Sequence, residues 1–598
     1  IADWLVFAAA FALYAASASP ALGWLDSPEL IAASVDLGVP HSPGHPLPVF
    51  LGSAAALVPL GDLAVRVNLA SAAAGAAACM LLARAGRTVA ARAAPELPAG
   101  ARAALAAAAA LVFAASWAAW TQAVRAEVYA LAAALLVAAL AAVLAWDADR
   151  RPRWLVAAGL AGGLALATHH LIAILLLAPA GLFVLARRKG RPRAALAGAT
   201  ALAGVIGLAG FLYLPVRSAA GPELDWGAPR VAARFVWTVS GAMFAGTATA
   251  EQVSPLGQDA AQALWATGEA AGAPLVLLGL LGLLMLVRRA DGNSGAPVAG
   301  LLVAVIAAAV AGRALFGFDP ETQDHHGYLV PAAAALALLA VAGAAGIARA
   351  AGSRGAGVAR AVAAGGLVLA AARAALGWPD ASLAHAHASD ELARLEIERL
   401  PPRALLVTSY FQTSYRSLAV RAVEGARPDV AVLHRGMLTL PGAREDAVRR
   451  HPELAAVIRA PLAAGVATPV SELAALARPV AFELDPDLDR PAHANLISRG
   501  RFAELRAAPP GEAERAAGEA QEGMLDLAAL VARARGSDRA DAERALLWLD
   551  FSRLDHYCAL GRRAAAQEAL HRAWDLFPGD VMLEERAAWC RLSVPPDP

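Results

Sequence analysis

The sequence predicts a mostly α-helical protein that crosses a membrane many times and ends in a polar region outside the bilayer. Of its 598 residues, 58% are hydrophobic and 17% are charged, which lies outside the usual range of soluble domains. Its apolar runs repeatedly approach the ~20 residues that a helix needs to cross the hydrocarbon core. After about Trp378, these runs give way to sequence rich in Arg, Glu and Asp. The formal net charge of +1 is uninformative by itself, because the charges are sorted by region, and nucleic acid is not an expected partner.

Eleven apolar segments are candidates for membrane-spanning helices, and Trp residues mark several of their ends, as at a bilayer interface. In residue numbers they are approximately 4–22, 62–84, 103–120, 128–146, 154–168, 170–186, 194–214, 273–287, 298–314, 328–348 and 358–376. They predict a polytopic transmembrane domain over residues 1–378. We expect the first segment to be retained as a span and not removed as a signal peptide.

Arginine is concentrated in every second connection between these segments. The basic connections follow the second, fourth, sixth, eighth and tenth segments and hold Arg87, Arg92 and Arg102, then Arg150, Arg151 and Arg153, then Arg187, Arg188, Lys189, Arg191 and Arg193, then Arg288 and Arg289, and finally Arg349, Arg354 and Arg360. Because short basic loops stay in the cytoplasm, we predict a cytoplasmic N-terminus and an extracytoplasmic C-terminal region. The excess of Ala and Arg is typical of a GC-rich bacterial genome, which indicates the inner (plasma) membrane of a bacterium.

The C-terminal region divides into two predicted parts. Residues 379–510 contain short β-branched runs near 404–408, 429–433, 469–470 and 479–484, which predict a small α/β unit with parallel strands. Residues 511–598 have a helical pattern, in which segments 542–560, 563–576 and 581–592 resemble a TPR-like helical hairpin. No spacing rule decides whether Cys558 and Cys590 form a disulfide, so a bridge and two free thiols both remain open.

Groups of polar residues interrupt the apolar sequence at points that share one predicted side of the membrane. Ionisable groups beside a bilayer are costly to desolvate and therefore mark functional sites. The candidates are Asp26, Glu29, His41 and His45; Arg66; Arg125, Glu127 and Tyr129; His169 and His170; Arg217, Asp225 and Trp226; and Asp324 and His325. The topology predicted from the arginines in the connections places these groups at the extracytoplasmic ends of the spans. That topology was derived from residues other than the candidates themselves. This convergence predicts an active site on that face.

Asp26 and Glu29 are candidate catalytic carboxylates. The same residues also match a helix N-cap, since Asp26-Ser27-Pro28-Glu29 has the capping-box pattern with Glu29 at its third helical position. One alternative is that one of the two carboxylates acts as a general base, with Asp26 favoured over Glu29. The other is that both residues only cap the helix.

His41 and His45 could orient a phosphate or bind a metal. Their spacing of four would place both on one face of a helix, but Pro43 and Gly44 between them favour a loop, where that spacing carries no meaning. We therefore expect a loop with a positioning role, and no metal.

Arginines at extracytoplasmic segment ends are candidate phosphate ligands, because a guanidinium can bind an oxyanion through two parallel hydrogen bonds. Arg217 is the favoured candidate and Arg66 the second, and both could instead extend to the membrane interface. Arg125 is a further candidate, and it is close enough in sequence to Glu127 to form an ion pair that only anchors the helix.

Three further pairs could line the site. The dipeptide His169-His170 interrupts an apolar run and predicts a tight turn between two spans, with the imidazoles facing inward. Asp324-His325 occupies a similar turn, and for both pairs a lining role and simple turn polarity remain open. Asp225-Trp226 is either an acceptor-side platform, since sugars stack on aromatic faces, or an interfacial anchor.

The order of these motifs resembles a known family. The succession Asp26 to Leu30, Leu37 to Leu47 and Arg66 to Ala72 is similar to the N-terminal signature of a GT-C-type family of membrane glycosyltransferases. This family was long labelled a domain of unknown function and includes a eukaryotic transmembrane protein O-mannosyltransferase. The resemblance continues through Glu127 to Leu131, Thr168 to His170, Tyr213 to Ser218, Asp225 to Gly227 and Asp324 to Pro331. The C-terminal region is similar only in general plan.

The resemblance implies a polyprenyl-phosphate sugar as donor and a protein or glycan hydroxyl as acceptor, both used at the extracytoplasmic face of the bilayer. It implies Asp26 as the general base and cationic groups that stabilise the leaving phosphate, without a further cofactor. A lipid or solute transporter is one alternative, but its site would be expected near the bilayer midplane between inverted repeats. A membrane anchor for the TPR-like helices is another, and it leaves the outer carboxylates and histidines unexplained.

Overall fold

The computed structural model of the protein describes residues 2–59, 61–188, 194–244, 255–288, 295–459, 462, 468–485, 488–499, 501–523 and 527–595. Lys189, Arg191, Arg193 and Arg289 of the predicted basic connections lie outside these residues. The chain folds as two compact units. The first, the helical unit, comprises Ile1–Ser19, Val39–Val216 and Val236–Ala384, and the second, the α/β unit, comprises Pro20–Gly38, Arg217–Phe235 and His385–Pro598. The domain boundaries near 378 and 510 stay predictions.

Helices dominate the first part of the chain. They are α1 (Ala2–Ser17), α2 (Ser27–Asp36), α3 (Pro46–Ala56), α4 (Leu63–Ala93), α5 (Ala99–Ala114), α6 (Trp117–Ala123), α7 (Val128–Asp149), α8 (Pro152–Arg187), α9 (Ala194–Leu208), α10 (Tyr213–Ala220), α11 (Ala232–Val239), α12 (Leu256–Ala271), α13 (Ala273–Val287), α14 (Ala296–Ala314), α15 (Gln323–Gly327), α16 (Val330–Ala350) and α17 (Gly355–Ala381). Of these, α2 belongs to the α/β unit.

Seven helices of the described residues are long and apolar enough to cross a membrane, and two bent pairs raise this number to as many as nine. The seven are α4, α7, α8, α9 continued by α10, α14, α16 and α17, and the bent pairs are α5 with α6 and α12 with α13. Helix α1 is apolar but has only 16 residues. The predicted polytopic helical fold is confirmed, whereas the count of eleven spans stays a prediction.

Helix α8 folds back on itself at His169. A methyl group at Gly162 would lie 3.2 Å from the Leu177 side chain, although a straight helix would separate the two residues by about 22 Å. The backbone of His169 leaves the helical region at φ −156° and ψ 95°. Its Nδ1 accepts a hydrogen bond from the Ile172 N–H at 3.5 Å, which caps the second half of the helix. The predicted segments 154–168 and 170–186 are these two halves.

Glycine allows α8 and α9 to approach closely. A methyl group at Gly163 would lie 2.1 Å from the carbonyl oxygen of Gly204, and one at Gly159 would lie 2.3 Å from that of Thr200. Since no side chain fits between the two backbones, small residues determine this packing. Such close contacts are typical of membrane helices, because lipid supplies no hydrophobic drive for their association.

The α/β unit contains a five-stranded sheet of strand order β2-β1-β3-β5-β4. The strands are β1 (Leu405–Thr408), β2 (Ala431–His434), β3 (Val480–Glu483), β4 (Leu496–Ser498) and β5 (Phe502–Leu505). β1 pairs with β2 and β3 in parallel, as predicted, whereas β5 pairs with β3 and β4 antiparallel. The prediction missed β4 and β5, and it was wrong at 469–470, where Val470 begins a short helix.

The remaining helices surround this sheet or follow it in sequence. They are α18 (Ala388–Glu398), α19 (Phe411–Glu424), α20 (Ala443–Arg450), α21 (Ala455–Arg459), α22 (Val470–Ala474), α23 (Arg490–Asn495), α24 (Glu512–Gly523), α25 (Leu527–Arg533), α26 (Gly536–Ala559), α27 (Arg563–Leu576) and α28 (Val581–Cys590). Helices α26 to α28 match the three predicted C-terminal segments, and their likeness to TPR repeats stays a prediction. A disulfide between Cys558 and Cys590 joins α26 to α28, which answers the question that the sequence left open.

Candidate active site

The loop before α3 places two imidazoles in direct contact. His45 Nδ1 lies 2.8 Å from the Thr168 carbonyl oxygen, and His45 Nε2 lies 3.2 Å from His41 Nε2. Because a carbonyl only accepts, His45 Nδ1 carries the proton and His45 Nε2 accepts a hydrogen bond from His41. Burial and the nearby His41 lower the pKa of His45 well below its usual range. The predicted loop is present, and it holds His45 as a neutral imidazole.

Aromatic rings extend this pair within the helical unit. Between ring centroids, His169 lies 5.7 Å from His45, 5.8 Å from Tyr129 and 5.3 Å from Tyr328. The Tyr328 hydroxyl lies 3.4 Å from His169 Nε2. Tyr129 fits here because residue 327 is Gly, where a methyl group would lie 2.4 Å from its ring. The structure thus brings together four predicted site residues, His41, His45, His169 and Tyr129.

Arg313 is a member of this cluster that was not among the predicted site residues. It lies in the last turn of α14, is buried, and has its guanidinium carbon 5.0 Å from the centre of the Tyr328 ring. Its Nη2 lies 2.6 Å from His325 Nε2. Burial is the main cause that lowers the pKa of His325 to about 4, and the positive charge of Arg313 is the second cause. The sequence carried a signal for Arg313, since it is the one charged residue of an apolar span, and such residues mark functional sites.

Arg125 is held between two carboxylates. Its Nη2 lies 2.5 Å from Asp324 and 3.8 Å from Glu127. The predicted pair of Arg125 and Glu127 is present, but Asp324 is the closer partner. The side chains of Arg125 and Glu127 are only 3% and 1% exposed, so the group is shielded from solvent. The positive charge of Arg125 is therefore already compensated by Asp324 and Glu127.

His170 and Arg66 have separate surroundings. The His170 ring is half-buried and lies 6.3 Å from that of His169. Arg66, in the first turn of α4, donates to the carbonyl oxygens of Gly61 and Ala56 at 2.6 and 2.8 Å. These bonds hold the connection between α3 and α4. The structure gives Arg66 this role, and its binding of phosphate stays a prediction.

The predicted catalytic carboxylates lie at the start of α2 in the α/β unit. Asp26 occupies the N-cap position, but its side chain makes no capping hydrogen bond. Glu29 is fully buried. Helix α2 packs against α19, where burial raises the pKa of Tyr415 and the charges of Glu29 and Asp26 raise it further. Because the Asp26 side chain makes no capping hydrogen bond, a purely capping role does not explain this residue.

Side-chain contacts fix the chain where it enters α2. The Leu22 N–H donates to Asp390 at 2.6 Å, and the Trp24 indole N–H donates to Asp538 at 2.8 Å. The Arg416 guanidinium carbon lies 5.3 Å from the centre of the Trp24 ring. Within the α/β unit, these contacts hold residues 22–24 in place directly before Asp26.

Arg217 binds the C-terminal end of α2. Its Nε donates to the Leu37 carbonyl at 2.8 Å, and its Nη2 donates to the Asp36 carbonyl at 3.1 Å. A cation is favourable at this end of a helix, where the last carbonyl groups lack partners within the helix. The phosphate-binding role of Arg217 stays a prediction that competes with this structural one.

Asp225 and Trp226 are both buried. Asp225 accepts a hydrogen bond from the Ser218 hydroxyl at 2.8 Å and lies 3.5 Å from Arg230, and burial raises the pKa of Asp225 to about 6. Trp226 is 2% exposed and stacks on Phe411 at 5.2 Å. An open sugar platform and an interfacial anchor both require an accessible ring. In this structure Phe411 and its other neighbours cover the ring, so both roles of Trp226 stay predictions.

Sequence comparison relates the first part of the chain to a family of transferases. Residues 26–193 match the model of the protein O-mannosyl-transferase TMEM260 N-terminal domain. A curated relative, protein O-mannosyl-transferase TMEM260 of Mus musculus, is 33% identical over 221 residues, which are 36% of this chain and 30% of the relative. The match thus spans less than a third of that relative's length.

Structural comparison relates the fold to ArnT from Cupriavidus metallidurans. The ArnT structure bound to undecaprenyl phosphate has a TM-score of 0.51 at 15% identity, and the alignment covers 85% of this chain and 99% of ArnT. The apo structure of ArnT gives 0.53 at 15% identity, with 85% and 98% covered. At this identity the likeness concerns the fold. The chain therefore shares the fold of ArnT, and its residues 26–193 are similar to the TMEM260 N-terminal domain, in line with the resemblance that the order of its motifs predicted.

Proposed function

We propose that the protein transfers a sugar from a polyprenyl-phosphate donor to a hydroxyl group of a protein or glycan on the extracytoplasmic face of the membrane. The match of residues 26–193 carries this proposal, because the matched segment includes Asp26, both loop histidines and His169. The relative from mouse is named a protein O-mannosyl-transferase, and ArnT binds undecaprenyl phosphate. We take the reaction class from the first and the donor class from the second.

Asp26 is the proposed general base. Attack of a hydroxyl oxygen on an anomeric carbon requires removal of the hydroxyl proton, and a carboxylate can accept it. Asp26 is half-buried and its carboxylate is not engaged in capping α2. Glu29, which is fully buried, is the second candidate.

The leaving group would be a polyprenyl phosphate, whose developing charge requires hydrogen-bond donors or cations. Arg125 is compensated by Asp324 and Glu127, which makes it a weak candidate. In the part of the chain that the structure describes, no carboxylate lies within ion-pair distance of Arg313, although it is buried. A buried cation of this kind favours an anionic ligand. We therefore propose Arg313, in the helical unit, as a candidate phosphate ligand that is an alternative to Arg217.

Replacing Arg217 with Lys distinguishes its two roles. If Arg217 holds the phosphate through two parallel hydrogen bonds, Arg217→Lys should lower transfer at least about tenfold, because an ammonium cannot reproduce that geometry. If Arg217 only stabilises the end of α2, Lys keeps the favourable charge and transfer should be nearly unchanged. The measurement is kcat/KM for the donor, with Arg394→Lys as the matched control at an exposed arginine that pairs with Glu424. Equal activity of Arg217→Lys and the parent protein would contradict phosphate binding.

The topology is testable by reporter fusions. We predict that alkaline phosphatase fused after Pro510 is active outside the cytoplasm and that a fusion after Arg191 is inactive, with the reverse pattern for a fluorescent protein that folds only in the cytoplasm. The disulfide between Cys558 and Cys590 supports this prediction, because disulfides persist in oxidising compartments. If both phosphatase fusions were active, or both inactive, residues 191 and 510 would lie on the same side of the membrane. That result would overturn the prediction that the candidate residues share the extracytoplasmic face.

The donor class is tested with purified protein and a panel of polyprenyl-phosphate sugars that differ in the sugar. We expect consumption of at least one of them, by hydrolysis or by transfer to a hydroxyl acceptor. A folded protein that consumes none of them, while it carries a solute across liposome membranes, would favour the transporter alternative.

A further inference from the structure

A cavity of about 620 Å³ lies among α4, α7 and α8 of the helical unit. Small apolar side chains, mostly alanine, form much of its wall. Its charged lining consists of Arg84, Arg87, Arg92 and Asp147. An apolar pocket of several hundred Å³ with a few convergent polar groups is typical of a ligand site.

This cavity is separate from the imidazole cluster. Trp154 lines the cavity at the start of α8, and His169 ends the first half of the same helix. The intervening helix separates these two residues by about 22 Å. In α7, Tyr129 and Asp147 are likewise at opposite ends, about 27 Å apart. The cavity therefore lies at the other end of these helices, next to the arginine-rich connections that are predicted to be cytoplasmic.

Asp147 gathers arginines at one side of the cavity. Its side chain is fully buried and lies 2.5 Å from Arg92, 2.7 Å from Arg150 and 2.8 Å from Arg187. One carboxylate compensates one guanidinium, so three arginines and one aspartate leave a net charge of +2. The buried carboxylate fixes the arginines in place, and their excess charge attracts an anion to the cavity.

Arg84 and Arg87 add positive charge on the α4 side. Arg87 pairs with Asp3, at 2.8 Å between Nη2 and Oδ2. The exposed Arg84 has its guanidinium carbon 5.9 Å from the centre of the Trp154 ring, and no carboxylate of the described residues lies within ion-pair distance of it. The cavity lining and the groups that pair with it thus contain five arginines and two aspartates. At the Trp154 edge, Asp149 accepts the indole N–H at 3.1 Å and pairs with Arg151, which adds no net charge.

We propose that this cavity binds the phosphate headgroup of an anionic phospholipid, with an acyl chain against its alanine wall. Basic pockets between membrane helices on the cytoplasmic side recognise acidic headgroups. Trp154 in the lining supports a position of the cavity at the level of the lipid headgroups, because Trp is enriched there. A soluble phosphate compound would use the arginines but would leave the apolar wall without a partner. The inference does not depend on sugar transfer, since it concerns the opposite end of the bundle.

Native mass spectrometry of the full chain in detergent tests the proposal. With equal amounts of dioleoylphosphatidylglycerol and dioleoylphosphatidylcholine, we expect preferential retention of the phosphatidylglycerol. Arg84→Gln should weaken that binding about fivefold, and Arg84→Gln with Arg87→Gln should weaken it about 25-fold, since each basic residue near the surface contributes by about this factor. Arg84→Gln breaks no ion pair among the described residues, so we expect it to fold.

The matched control is Arg360→Gln, which removes one exposed charge from α17 without touching the cavity lining. It should leave phosphatidylglycerol binding unchanged. Equal retention of the two lipids, or an equal loss in Arg360→Gln, would overturn the proposal in favour of general surface electrostatics. Displacement of the lipid by millimolar glycerol 3-phosphate or inorganic phosphate would overturn it in favour of a soluble phosphate ligand.

Discussion

Asp26→Asn is expected to lower sugar transfer by at least about a hundredfold while membrane insertion and donor binding persist, because general-base catalysis typically contributes ~10²–10⁴-fold. Asn has nearly the same shape as Asp and is an equally good N-cap residue. The Asp26 side chain makes no capping hydrogen bond in the structure, so the start of α2 should be unaffected. The measurement is the transfer rate at saturating donor, together with the dissociation constant of the donor.

Glu29→Gln is the paired variant for this prediction. Glu29 is fully buried, so its replacement is accompanied by a hydrogen-exchange measurement on α2 that detects local unfolding. Near-normal transfer by Asp26→Asn with an inactive, folded Glu29→Gln would assign the base to Glu29. Normal transfer by both variants would exclude the first loop from the chemistry.

The second large effect concerns the stability of the α/β unit. Arg501 is buried and donates from Nε to Glu396 at 2.9 Å and from Nη2 to Glu483 and Thr413, each at 3.0 Å. Arg416 also binds Glu396, at 2.9 Å, so two arginines compensate two buried glutamates. Glu483 is on β3, and its other oxygen accepts the backbone N–H groups of residues 409 and 410 after β1.

Arg501→Met should therefore destabilise this unit by about 3–5 kcal/mol, because it removes the cation that compensates the charge of the buried Glu483 carboxylate. We expect amide hydrogen exchange in β1 and β3 of the full chain to accelerate at least about a hundredfold. The matched control is Arg394→Met, which breaks the exposed pair with Glu424 and should cost at most about 1 kcal/mol. Similar exchange in both variants would show that the buried network is not a principal source of stability.

The sequence predicted the fold where one physical signal dominates. Apolar length located α4, α7 and α16, since a bilayer imposes both length and composition on a spanning helix. The interruption at His169-His170 located the reversal within α8. Parallel pairing of β1 with β2 and β3 followed from short β-branched runs between helical patterns.

Other features depend on contacts between distant residues, which a single sequence does not display. Strand β4 has three residues and is defined by its antiparallel pairing with β5 rather than by its own pattern. The burial of Trp226 depends on Phe411, which lies in α19 far along the chain. Arg313 differs from these, since its charge within an apolar span was visible in the sequence. It was the contact with Tyr328 and His325 that made it part of a cluster.

Sugar transfer itself is tested most directly by a single-turnover experiment with a polyprenyl-phosphate sugar that is labelled in both the sugar and the lipid. We expect the purified protein to release one polyprenyl phosphate for each sugar that appears on a hydroxyl acceptor, and Asp26→Asn to bind the donor without releasing either label. Release of free sugar or lipid at equal rates by the parent and by Asp26→Asn, or transfer only from a nucleotide sugar, would contradict the proposed reaction.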